Sequence, residues 1–233
     1  MTGTEPEEVT PRGVTVTRTV VVTIAVLAVL LLGAAVGLLI KLPGSDTSST
    51  PASDSVDVGF SQDMAAHHLQ GVQMANIARD KSTDPAIRQL AFDIESTQLE
   101  QVGRMKGWLF LWGYPEQSVD GKHMWWMTSA THGHSDSGSG SGTSDDTGRM
   151  PGMATAQEIA RLRSLSGTEF DVYFLQLMLR HHQGGAPMAE YAATRAGQSV
   201  VRTLADNMLK SQTSESVYMT KLIADRGAAP LPS

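Results

Sequence analysis

Phe60-Ser-Gln-Asp-Met-Ala-Ala-His-His-Leu-Gln-Gly-Val-Gln-Met-Ala75 returns as Phe174-Leu-Gln-Leu-Met-Leu-Arg-His-His-Gln-Gly-Gly-Ala-Pro-Met-Ala189, at an offset of 114 residues. The offset continues without a gap into the next segment, where Arg88 matches Arg202, Leu90 matches Leu204, Gln98 matches Gln212 and Met105 matches Met219. Phe60, Met64, His67, Gly71, Met74 and Ala78 advance by steps of three or four. On a helix they form one stripe, with His68 at its edge. Phe174, Met178, His181, Gly185, Met188 and Ala192 repeat it. Each half therefore reads as a helical hairpin. A hairpin alone buries its apolar face poorly, so two stacked hairpins predict an all-α four-helix bundle.

The flanking signals agree. Helical pattern starts near Asp57. Asp84-Pro85 sets an N-cap with proline in the first turn, and that helix runs to Gly113. Thr155 with Glu158 forms a capping box that opens a short helix. Thr168–Gly197 and Ser199–Gly227 read as two long helices ended by glycine. Pro187 lacks the amide that would bond the Gln183 carbonyl, which predicts a kink after the second His pair. No stretch alternates with period two, so no strand is expected.

Outside the repeat, Val20–Ile40 carries no charge and no proline. Roughly twenty such residues at 1.5 Å each match a hydrocarbon core of about 30 Å. The expected organisation is an N-terminal cytoplasmic tail at 1–19, a transmembrane anchor at 20–40 and a flexible Pro/Ser/Asp tether at 41–55. A metal-binding domain follows at 56–226, interrupted by a Met/His/Gly/Ser loop at about 120–153. Arg12 and Arg18 before the run favour the N-terminus inside. This predicts a single-pass protein of the cell membrane with its bulk extracytoplasmic; secretion after signal cleavage is the alternative.

Composition narrows the chemistry. A net charge of −6 supplies no basic footprint for nucleic acid. With no cysteine, disulfides, thiolate metal sites and a thioether lipid anchor are excluded, so any metal must use His, Met, carboxylate or backbone ligands. All seven histidines lie in the two pairs or in the loop between the halves, at His123, His132 and His134. Met at helical spacing ordinarily fills core gaps. Two His pairs repeated in register are different, because four buried imidazoles must be satisfied by something. Met64 sits three and four residues before His67 and His68, so thioether and imidazole can meet. Such ligands suit copper, above all Cu(I), rather than Mg, Ca or Mn. Met-x-x-His stands where a di-iron bundle needs Glu-x-x-His. In the loop, His123-Met-Trp-Trp-Met127, His132, His134, Met150 and Met153 repeat the theme as a copper-collecting arm, set against an incidental linker.

The strings HHLQGVQMA, MLRHHQGGAPMAEYA and RMPGMAT resemble the bacterial domain-of-unknown-function family 305 over roughly residues 56–226. That resemblance implies a ferritin-like fold and periplasmic copper binding. It implies ligation by Met64, His67, His68, Met74, Met178, His181, His182 and Met188, with Met105 and Met219 as further ligands. Gln101 departs from the family's usual Glu, which Glu215 retains. With Glu190 beside Met188, the second half is expected to be the stronger site. The function expected is copper tolerance, buffering or delivery, with a copper-handling protein as a possible partner. A redox metalloenzyme and a structural or partner-binding envelope protein are the competing readings.

Overall fold

The computed structural model describes residues 13–39, 50–119, 121–127 and 149–231. His132, His134 and most of the expected loop lie outside the described residues, as do parts of the expected tail and tether. The described chain is all-helical: α1 (Gly13–Leu39), α2 (Val56–Lys81), α3 (Pro85–Trp112), α4 (Ala156–Ser164), α5 (Gly167–Arg195) and α6 (Ser199–Asp225). No strand occurs among the described residues.

The helix α1 belongs to a separate unit from the one beginning at Thr50. Among the described residues no helix is long and apolar enough to cross a membrane, so the expected transmembrane anchor is not borne out there.

The second unit follows its local signals. The Ser55 hydroxyl accepts the Val58 amide at 3.3 Å to open α2, and the Asp84 carboxylate accepts the Ala86 amide at 2.8 Å to open α3. Gly113, at φ 76°, closes α3 in the left-handed conformation that glycine adopts without strain. The Thr155–Glu158 capping box forms, and Glu158 also pairs with Arg180 at 2.8 Å, fastening α4 to α5.

One expected stop is misplaced. α5 ends at Arg195, with extended Ala196 as its cap, rather than at Gly197. The Gly197 and Gln198 amides donate instead to the Asp57 carboxylate, at 2.9 and 2.8 Å. Asp171, at the equivalent position in the second half, accepts the Ser82 hydroxyl at 2.6 Å in the turn between α2 and α3. Each hairpin thus offers an aspartate from its first helix to the turn of the other.

The hairpins α2–α3 and α5–α6 meet mainly through α2 against α5. One apolar cluster joins Phe60 and Met64 of α2 to Met188–Ala192 of α5; the other joins Met74–Ala78 to Phe170–Leu179. The early part of each helix packs on the late part of the other, so α2 and α5 run antiparallel. Phe60, Phe170 and Phe174 are fully buried, each contributing about 1.5–3 kcal/mol by leaving water.

Candidate metal centre

The middle of the α2/α5 crossing is polar. Gly71 and Gly185 let the helices close there. A Cβ at Gly185 would lie 3.1 Å from His67 Cε1 and 3.2 Å from Gln212 Oε1, and one at Gly71 would lie 2.2 Å from Gln98 Oε1 and 3.0 Å from His181 Cε1. Into the space they leave come His67 and His181, whose ring centroids are 3.9 Å apart. His68 and His182 flank them, with centroids 6.3 and 6.2 Å from their chain neighbours. All four imidazoles are fully buried.

Every one of these rings is held by Nε2. His67 donates to the Pro151 carbonyl at 3.1 Å and His181 to the His67 carbonyl at 2.9 Å. His68 donates to Gln101 Oε1 at 2.7 Å and His182 to Glu215 Oε2 at 2.6 Å. Carbonyl and carboxylate oxygens only accept, so the proton sits on Nε2 and Nδ1 keeps its lone pair. All four Nδ1 atoms are buried without a partner, as are both amide atoms of Gln98 and of Gln212. Buried polar atoms are ordinarily paired, so eight together mark a place built for something else.

Burial keeps the His67, His68 and His181 rings neutral. Burial, against the bond to Pro151, pushes His67 down to about 4. Burial and the neighbouring His67 push His68 down to about 3. Burial and the His67 ring hold His181 well below its ordinary value. Neutral imidazole is the form that ligates metal.

The methionines sort differently from the linear repeat. All six expected ligands are fully buried. Met64 and Met105 share a cluster with Met188, whereas Met178 and Met219 share theirs with Met74. Met74 and Met188 have changed places, because antiparallel packing sends the late part of each stripe to the partner hairpin. Met208 joins Met64, Met105 and Met188; its repeat equivalent, Ile94, occupies the other cluster. With no matching methionine at the repeat offset, Met208 carries no signal in the sequence. Glu190 is exposed and contributes nothing to the centre. Asn76 turns back to the Val72 carbonyl at 3.1 Å. Among the described residues no three His, Cys, Asp or Glu side chains are grouped to hold a metal ion. The available donors are imidazole combined with thioether, a soft set that fits copper or silver and not a carboxylate metal.

A strap covers the centre. The turn at 150–153 lies on α5, where a Cβ at Gly184 would fall 2.3 Å from the Pro151 carbonyl oxygen. Gln70 clasps Ala154 through two bonds of 2.9 and 2.6 Å. A second loop piece is tied to α2 by buried Asp63. Its carboxylate accepts His123 Nδ1–H, the Met124 amide and Trp126 Nε1–H, each at 2.7 Å. Gly59 admits the Trp126 ring, since a Cβ there would be 2.3 Å from it. Asp63 has no counterpart in the second repeat, where Leu177 stands.

These features define a protein of two repeated helical hairpins, with four buried histidines where they cross and buried methionines in the two apolar clusters. The chain belongs to the family described as a domain of unknown function, DUF305, which matches residues 57–223. A crystal structure of a DUF305 protein from Streptomyces coelicolor, named as a secreted protein, is 42% identical. It covers 78% of this chain and 100% of its own, with a TM-score of 0.67. A DUF305 fragment from Deinococcus radiodurans is 28% identical, covering 73% and 96%, with a TM-score of 0.58. CopM in its Cu(I)-bound form is 22% identical, covering 72% and 96%, and at a TM-score of 0.53 shares the fold. No functionally curated relative matches the sequence.

Proposed function

We propose that this protein binds copper as cargo outside the cytoplasm, buffering or delivering it, with Cu(I) the preferred ion. The observation that carries the reading is the set of four buried imidazoles, each bonded through Nε2 and each leaving a bare Nδ1. A metal-ligating histidine ordinarily donates its other ring N–H to a carboxylate or carbonyl, the arrangement these rings hold. His67, His68, His181 and His182 would supply nitrogen, and Met64, Met105, Met188, Met74, Met178 and Met219 thioether sulfur. The ion brings its own redox couple; the chain's part is to hold it dry and soft-ligated. Support also comes from the Cu(I)-, Cu(II)- and Ag-bound forms of CopM on the same fold.

Binding is favoured over redox catalysis, because the repeat carries Met-x-x-His in place of Glu-x-x-His. The extracytoplasmic location is supported by the Streptomyces relative, which is named as a secreted protein. The test is anaerobic titration of the purified protein with Cu(I) against a chromophoric chelator, in parallel with Cu(II), Zn and Fe(II). Cu(I) should bind most tightly. Equal or tighter binding of Zn or Fe(II) sinks the reading.

A further inference from the structure

Outside the central histidines, a cavity of about 310 Å³ opens between α2 and the two loop pieces. Its walls include Asp63, Ala66, His123, Met150 and Met153. Three features make it more than a gap. His123 is fixed by its Nδ1–H bond to Asp63 at 2.7 Å, which leaves the lone pair on Nε2. Its side chain is one-third exposed. A buried carboxylate holding the far nitrogen of an imidazole is the outer support that a ligating histidine normally has.

Met150 and Met153 stand at the two ends of one turn, closed by the Met153 amide on the Met150 carbonyl at 3.3 Å. Gly152 takes φ 76° in that turn, where a Cβ would lie 2.5 Å from the Arg180 carbonyl oxygen, so the turn is pressed onto α5 and cannot drift. Within the same turn the Pro151 carbonyl accepts His67 of the centre at 3.1 Å. The turn therefore faces the cavity with its methionines and the central histidines with its carbonyl.

We propose that His123, Met150 and Met153 form a second soft-metal site, taking a monovalent d¹⁰ cation such as Cu(I) or Ag(I) and loading the centre. The loading role rests on the copper-binding reading above; the site itself does not. One imidazole and two thioethers make a soft set. Arg149 also lines the cavity, and its charge opposes a divalent ion twice as strongly as a monovalent one. The site is more open than the four buried rings and offers fewer ligands, so it exchanges faster.

The test uses the full chain, labelled with ¹³C on its methionine methyls and titrated with Ag(I). A central variant, His181→Ala/His182→Ala, should still take one equivalent, and that equivalent should move the Met150 and Met153 resonances. Adding His123→Asn and Met153→Leu should abolish the metal-induced movement at Met150; asparagine keeps a donor for Asp63, and leucine keeps the volume. In an otherwise unaltered chain, His123→Asn/Met153→Leu should lose one equivalent and fill the centre more slowly. If these loop changes disturb the methyl spectrum of the apo protein, Met153→Leu alone serves as the probe. Unmoved Met150 and Met153 resonances in the central variant overturn the proposal. Should those resonances move while the unaltered centre takes no metal, the loop site stands and the central copper reading falls instead.

Discussion

The two hairpins place the same histidine in the same position and give it different company. His68 donates to the neutral amide of Gln101 and His182 to the carboxylate of Glu215. A carboxylate behind an imidazole makes Nδ1 a stronger donor and offsets the charge of an arriving cation. The repeat thus builds one backbone frame and two unequal ligands. The first hairpin has its own asymmetry: it alone carries Asp63 and the loop that Asp63 holds. On the copper-binding reading proposed above, the comparison teaches a division of labour, with metal arriving on the side of the first hairpin and held most firmly by the second.

The largest expected effect breaks the two halves apart. His181→Ala/His182→Ala should lower Cu(I) affinity by roughly two to four orders of magnitude, at about 1.4 kcal/mol per tenfold step. His67→Ala/His68→Ala should cost less, though still heavily, because the His67 and His181 rings touch. Chelator competition measures both, with a thermal melt of each apo variant as the folding control. Equal losses, with the centre emptied in each and only the loop equivalent left, would mean one shared site and no useful inequality.

Acid supplies the next largest effect. Unfolded imidazoles take up protons near pH 6.5, whereas His67 waits until about 4 and His68 until about 3, both chiefly through burial. Between those limits the unfolded chain binds more protons, so stability rises with pH across the window. The contribution is complete above about pH 6.5 and is lost on acidification. Each tenfold difference in proton affinity between the folded and unfolded chain is worth about 1.4 kcal/mol, so the apo protein should lose several kcal/mol between about pH 7 and about pH 4. Urea unfolding at intermediate pH values reads this directly. His68→Gln should flatten the lower part of the curve; an unchanged slope would show that this ring is not held neutral.

Much of the fold and of the centre is legible from residues alone, and the parts that are not share a cause. The repeat, the caps at Asp84 and Thr155 and the paired histidines all depend on neighbours within a few residues. The exchange of Met74 and Met188 depends on α2 and α5 running antiparallel, which no single stripe records. Asp57 and Asp171 obey the offset of 114 residues, but their partners lie in the opposite hairpin. Asp63 reads as one polar residue beside an apolar stripe until His123 and Trp126 are brought to it from about 60 positions away. Glu190 stands close to Met188 in sequence, yet two residues along a helix is the opposite side.

A smaller change should erase the inequality. Glu215→Gln gives His182 the partner that His68 already has. Losing such an outer-shell carboxylate typically costs about 10–100-fold in metal affinity. Gln101→Glu should move the first half in the other direction, and the double exchange should transfer the tighter binding from one hairpin to the other. Isothermal titration of the three variants with Ag(I) follows the transfer. If Glu215→Gln binds like the parent, the carboxylate is structural and the halves differ for another reason.

The smallest effect concerns the clasps that hold the hairpins together. Asp57 accepts two backbone amides, at Gly197 and Gln198, whereas Asp171 accepts one hydroxyl, from Ser82. Hydrogen bonds to a charged group contribute about 1.5–3 kcal/mol each, but a serine left without its acceptor can turn its hydroxyl elsewhere, while two backbone amides cannot. Asp57→Ala should therefore destabilise the apo protein more than Asp171→Ala, by about 1–2 kcal/mol, roughly the worth of one charge-assisted bond. Denaturant midpoints compared at equal m-value give the difference. Neither aspartate reaches the centre, so the metal affinity of the folded fraction should be the same in both variants. Equal destabilisation would show that the two turns are held equally, and the inequality between the hairpins would then be confined to the metal ligands and the Asp63 loop.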